Sequence, residues 1–334
     1  MRRLLSSAPD STSSWSQHHA RKKRSSVRQT YINVILPLIN DVVHTLDMQY
    51  HCMDIIKRST ALLNPDQIPV DVCDQPIYAL TKEIQWRYPD TFGNSKYFCL
   101  FGSLHIEKSM LVVHGQIIKG TGLDKILTSC GLSIAGTQAI VNVNHIKQAR
   151  YCLQVVICVL FQLLLDTHRE SGDISHPSSW LENKSKESQM CFFWKLVLEV
   201  QINILIFIRS IREGNFSLYI SSLRNFVKWY FALDHYNYAR WISVHLFDLL
   251  SLDKTSLHLY QKFQEGYFAF QKTNSEFSLM GLDQVHEQNN TIIKGMGGAT
   301  QSLNVEDDSG LARWELCLHE LICCRLRKLC KCKY

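Results

Sequence analysis

The chain has 334 residues, 46% hydrophobic and 20% charged, enough apolar material for a large folded body, which excludes a wholly disordered chain. Its net charge of +6 sits at the two ends: residues 1–30 carry seven Lys/Arg against one acid, and residues 321–334 carry five Lys/Arg and no acid. The residues between hold 24 basic and 29 acidic side chains, which excludes a body that is basic overall, although a local basic groove stays compatible with it.

Residues 1–30 are polar, Ser-rich and without apolar period, and read as a disordered basic tail. Within it Arg21, Lys22, Lys23 and Arg24 are either a nuclear-import or nucleic-acid-binding patch, or a plain solvated charge cluster. No cleavable leader is visible, since only Leu4 and Leu5 are apolar before a Ser-rich run. The cysteines between residues 52 and 191 show no paired spacing, so an intracellular chain with reduced thiols is expected.

Helical patterning begins near Tyr31, breaks at Pro37 and runs to Leu63. A turn at 64–69 leads into a strand ending at Asp74, then a helix that stops before Pro89. "KYFCLFGSLH" at 96–105 is a second buried strand, ended by Gly102, with a helix from Ile106. Strand–helix–strand–helix order predicts a small, largely parallel sheet. A helical insertion follows over about 144–265, with 173–188 as a loop inside it. Two apolar runs, 151–165 and 196–208, resemble membrane spans. The first is short of the roughly 20 residues a span needs. The second contains Glu199, so both read as buried core helices and no membrane partner is expected.

"GYFAFQKT" at 266–273 alternates briefly and predicts a strand, and "GLDQVHEQNNTIIKG" at 281–295 predicts a helix. Residues 319–334 form an aberrant, basic, Cys-rich tail. Cys323, Cys324, Cys330 and Cys332 offer a zinc site, against which stands the lack of C-x-x-C pairs; an altered reading-frame end is the other reading. The expected fold is therefore a mostly helical α/β body over 31–318 with a large helical insertion.

Four places carry candidate chemistry. Asp74 closes the first strand, where α/β sites form, or else caps the next helix. His105 and Glu107 follow the second strand at the same sheet edge, where Glu107 either joins a site or complements a helix dipole. Asp234 is a candidate N-cap for a helix starting at His235, and the nearby Asn237, Tyr238, Arg240 and Trp241 either bind nucleic acid or fill a helix interface. Asp283, His286, Glu287 and Asn290 share one helix face, a metal-binding stripe or a solvated one.

"CDQPIYALTKEIQW", "FGSLHIE", "IRSIREGNFSLY", "FALDHYNYARW" and "LDQVHEQNNTIIKGMGG" together resemble a group of mobile-element-derived invertebrate proteins of cnidarian type, over about Pro69 to Leu316. More distantly, the order Asp-Gln after one strand, Gly-x-x-His after a second, a helical insertion, then Glu with Lys seven later is similar to transposases with a ribonuclease-H-like core. That likeness implies a two-cation Mg²⁺ or Mn²⁺ site, with Asp74 as first acid, Glu287 as third, and Lys294 on the DNA backbone. Asp283 and His286 are further candidate ligands. The position of the second acid holds Ser103, which implies a degenerate site unless Glu107 substitutes for it. The rival expectations are an interaction module holding DNA through its basic ends, or a fragment without function. The sequence leaves the oligomeric state open.

Overall fold

Capping side chains and prolines set out the first elements. The computed structural model describes residues 44–130, 133–271 and 277–295, together with His19 and Val42. Helix α1 (Leu46–Leu63) starts where Thr45 accepts the Met48 amide. Strand β1 (Val70–Cys73) leads to helix α2 (Gln75–Arg87), capped by Asp74 with Pro76 in its first turn. Pro cannot supply an interior helix hydrogen bond, so α2 ends ahead of Pro89, which instead opens the short α3 (Pro89–Phe92). Strand β2 (Phe98–Phe101) is buried throughout and precedes α4 (Ser103–Ile118). β1 and β2 pair in parallel, in register from Val70–Phe98 to Cys73–Phe101. Among the described residues the protein is thus a mostly helical α/β fold whose parallel sheet has two strands.

Helices α5 (Leu123–Ser129) and α6 (Ile134–Val141) follow, and the expected helical insertion comprises α7 (Ile146–Glu170), α8 (Pro177–Glu187), α9 (Gln189–Glu213), α10 (Phe216–Ala232), α11 (Tyr236–Leu250), α12 (Leu252–Thr255) and α13 (Leu257–Gln264). Helix α8 corrects the expectation of a loop over 173–188. Its start is built by Pro177 in the first turn and by His176, whose ring nitrogen accepts the Ser178 amide at 3.3 Å. Its one large anchor is Trp180, buried edge-on against His168. The short β3 (Phe270–Gln271) then pairs antiparallel with β4 (Leu279–Met280), and α14 (Leu282–Gly295) follows.

The main core joins both faces of β2 to α4, α9, α10, α11 and α13, with Phe207, Phe216, Tyr219, Phe226 and Tyr230 at its centre. Helix α9 packs on α4, α7, α8 and α10. Both α7 and α9 are long and apolar enough to cross a membrane. In α9 the polar groups find partners inside the body: Gln201 meets His114 at 2.9 Å and Asn203 donates to the Ser222 carbonyl at 3.0 Å. That is the pattern of a core helix.

Most of the expected N-terminal tail, and residues 296–334 with their four candidate zinc cysteines, lie outside the described residues. His19 is described: it stacks on Phe277 at 5.2 Å and lies 3.7 Å from Glu213.

Candidate functional site

Because β1 and β2 run in parallel, the helices that follow them begin at one edge of the sheet. The two starts are capped differently. Asp74 accepts the Ile77 amide at 3.2 Å and closes α2 locally. At α4 the capping position is Gly102, which has no side chain to offer. Asp283 arrives there instead from α14. Its Oδ2 accepts the Leu104 amide at 2.7 Å and the His105 amide at 3.2 Å, while its Oδ1 accepts the Ser103 hydroxyl at 3.4 Å and its neighbour Gln284's amide at 3.0 Å.

Two glycines make this approach possible. A β-carbon on Gly102 would stand 2.5 Å from Asp283 Oδ2, and one on Gly281 would stand 2.2 Å from Ser103 Oγ. Any side chain at either position would push α14 off α4.

His105 is the hub of the site. Its Nδ1 lies 3.1 Å from Asp283 Oδ2, and about a third of the side chain reaches solvent. The Asp283 hydrogen bond raises its pKa above the ordinary 6.5; burial opposes this, and the charges of Asp283, Asp74 and Glu287 add to the rise. Three of the expected acids therefore bear on one imidazole. On α11 burial raises the pKa of Tyr238, and the Asp74 charge adds to the rise.

Glu107 does something else. Both of its oxygens are held by Arg150 of α7, from Nε and Nη2, each at 2.6 Å. Burial disfavours the Arg150 charge, but Glu107 more than offsets it and the arginine pKa is raised. A carboxylate held on both oxygens by a guanidinium already has its charge neutralised by that partner.

The remaining candidates are dispersed. His286 and Glu287 are exposed on α14, whereas Asp283 on the same helix is buried, so the stripe is split between interior and solvent. Asn290 and Lys294 lie in α14, with side chains outside the described set, as are Lys22, Lys23 and Arg24. Arg240 is exposed on α11. Asp234 is not the cap of that helix: it has φ +59° and accepts the Tyr236 hydroxyl at 2.9 Å, leaving the cap position to His235. The aromatic residues behind it fill an interface, with Tyr238 stacked on Tyr230 and Trp241 on Trp86.

Among the described residues, no three His, Cys, Asp or Glu side chains form a group able to hold a metal ion. The donors present do not fit a two-cation centre: Asp74 and Asp283 serve as helix caps, Glu107 is taken by Arg150, and Ser103 supplies no charge. Sequence reasoning missed Arg150 as a partner, and missed the buried pair of Lys82 and Asp248 at 2.7 Å, which Asn94 joins by donating to Asp248 at 2.8 Å. The only sequence signal for that pair was a lone charge in each of two apolar helix faces.

No curated protein and no solved structure matches the chain. A family model matches residues 14–189 and 178–334, so the matched spans reach into the basic C-terminal tail. The chain belongs to the family described as Domain of unknown function (DUF8702).

Proposed function

We propose that the chain is a mobile-element-derived intracellular protein on the plan of a ribonuclease-H-like transposase, whose carboxylate site is degenerate and which acts by holding DNA. What supports this reading is the placement of the Asp74 and His105 helix starts at one carboxyl edge of two parallel strands, with the charges of Asp74 and Glu287 both favouring the His105 imidazolium. Ser103 stands where a second acid belongs, and an imidazole held by Asp283 takes the centre of the site. The basic residues concentrated in 1–30 and 321–334 suit DNA contact and nuclear import better than the acidic body does.

The test has two parts. Fluorescence anisotropy with duplex DNA is expected to show affinity falling with salt, with a shallower slope once Lys22, Lys23 and Arg24 are changed to Gln. Calorimetric titration with Mn²⁺ is expected to show no stoichiometric binding. Stoichiometric Mn²⁺ binding with strand nicking, both lost in Asp74→Asn, would replace this reading with an active nuclease. A second reading, a protein-interaction module, draws on the exposed apolar side chains Tyr151, Val159, Phe161 and Leu163 along α7.

A further inference from the structure

Beside the histidine centre, on the other flank of the α4 start, lies a cleft of about 30 Å³ between α4, α7, α9 and α14. It is lined by Ser103, Glu107, Arg150, Arg212 and Gln284 among others. Its charges do not balance. Arg150 is neutralised by its two bonds to Glu107, but Arg212 has no carboxylate within ion-pair distance among the described residues. Among the described residues its guanidinium meets the face of the Phe277 ring, 5.9 Å away. Arg212 is half-buried, and burial together with the adjacent Arg150 charge lowers its pKa, with Glu107 offsetting part of this. A guanidinium stays protonated even so, and a half-buried cation without a counter-charge is costly.

We propose that this cleft binds a compact phosphate-class anion, with Arg212 as its principal ligand. The geometry supplies the rest of a receptor. The Gln284 side-chain amide has no partner among the described residues and lines the same cleft. The Ser103 hydroxyl is held by Asp283 only at 3.4 Å and can turn to an anion instead. Arginine suits this ligand because its planar fork matches two anion oxygens at once. The cleft is small: at about 30 Å³, against roughly 10–15 Å³ for one water measured this way, it suits a compact anionic group. The inference stands on the arginine and the cleft, independently of the transposase-like plan proposed above.

The experiment is calorimetric titration of inorganic phosphate and pyrophosphate into the full chain at low salt, repeated with Arg212→Gln and Arg212→Lys. Circular dichroism and melting curves check that each variant is folded. Saturable binding is expected in the parent chain. It should weaken at least roughly tenfold in Arg212→Gln, as loss of one charged hydrogen-bonding pair does, with Arg212→Lys between the two. Phosphate should also raise the melting temperature of the parent but not of Arg212→Gln. Equal binding by the parent and a folded Arg212→Gln variant, or no binding by the parent, would overturn the proposal. Competition by short single strands with and without a 5′-phosphate separates the two sources of the anion. Displacement by both identifies a backbone phosphodiester. Displacement by the phosphorylated strand alone identifies a terminal phosphate, and displacement by neither identifies a free one.

Discussion

Asp283 accepts the amide hydrogen of Leu104 at 2.7 Å across 179 residues of sequence. One carboxylate thereby ends the strand-to-helix turn after β2, fixes α14 against α4, and holds His105 by its ring. The cap that α4 lacks locally, at Gly102, is supplied by a helix at the far end of the described chain.

Removing it should be costly. Asp283→Ala leaves the part-buried amides of Leu104 and His105 without their acceptor and is expected to lower unfolding free energy by about 1–2 kcal/mol. Asp283→Asn keeps one acceptor oxygen and should lose less. Gly281→Ala should be at least as damaging as Asp283→Ala, because its methyl would stand 2.6 Å from Asp283 Oδ1 as well as against Ser103. Urea denaturation measures all three, and an Asp283→Ala variant as stable as the parent would refute the capping role.

The pH dependence follows from His105. Its folded pKa is raised above the ordinary 6.5, so its contribution to stability is fully present below 6.5. That contribution is lost as pH rises through the folded value, when the imidazolium bonded to Asp283 is neutralised. The melting temperature should therefore fall more steeply above pH 6.5 in the parent than in His105→Gln. Parallel curves for the two proteins would count against it.

Glu107 and Arg150 form a pair whose halves should not be separable. Their side chains are only 5% and 14% exposed. Glu107→Gln strands a mostly buried guanidinium beside Arg212, and is expected to cost about 3–5 kcal/mol. Replacing both partners, as Glu107→Leu with Arg150→Met, should recover much of that loss. A double-mutant cycle on thermal melts checks this, and additive effects would show that the pair is not coupled.

Asp74 offers a test of function against structure. Asparagine caps a helix about as well as aspartate, while alanine loses roughly 1 kcal/mol. Asp74→Asn should therefore melt like the parent and Asp74→Ala should not. If Asp74→Asn is destabilised as much as Asp74→Ala, the charge itself matters more than the cap bond at 3.2 Å.

How much of this was legible varies with the range of the interaction. The α2 start was readable, because the cap residue and the proline stand together in Asp74-Gln75-Pro76. The two strands were readable from short apolar runs ended by turn residues. α8 was not, because it is a polar helix held by one tryptophan, and composition alone reads such a segment as loop. Periodicity puts Asp283, His286 and Glu287 on one helix but does not say which end of a stripe is pressed against a neighbour. Docking on α4 buries Asp283 and leaves Glu287 in solvent. The Glu107–Arg150 pair spans 43 residues and two helices, and no local pattern announces it. Asp234 was misread because its left-handed backbone, with φ +59°, moves the cap position one residue on.

The account rests on the bond of Asp283 to His105, with the charges of Asp74 and Glu287 adding to it, and the most direct measurement is the NMR titration of the His105 ring protons. The midpoint is predicted to lie above 6.5, to fall most in Asp283→Asn, and to fall by smaller amounts in Asp74→Asn and Glu287→Gln. A midpoint at or below 6.5 that none of the three substitutions moves would mean that the carboxylates do not act on the histidine, and that these residues are separate helix caps and surface charges.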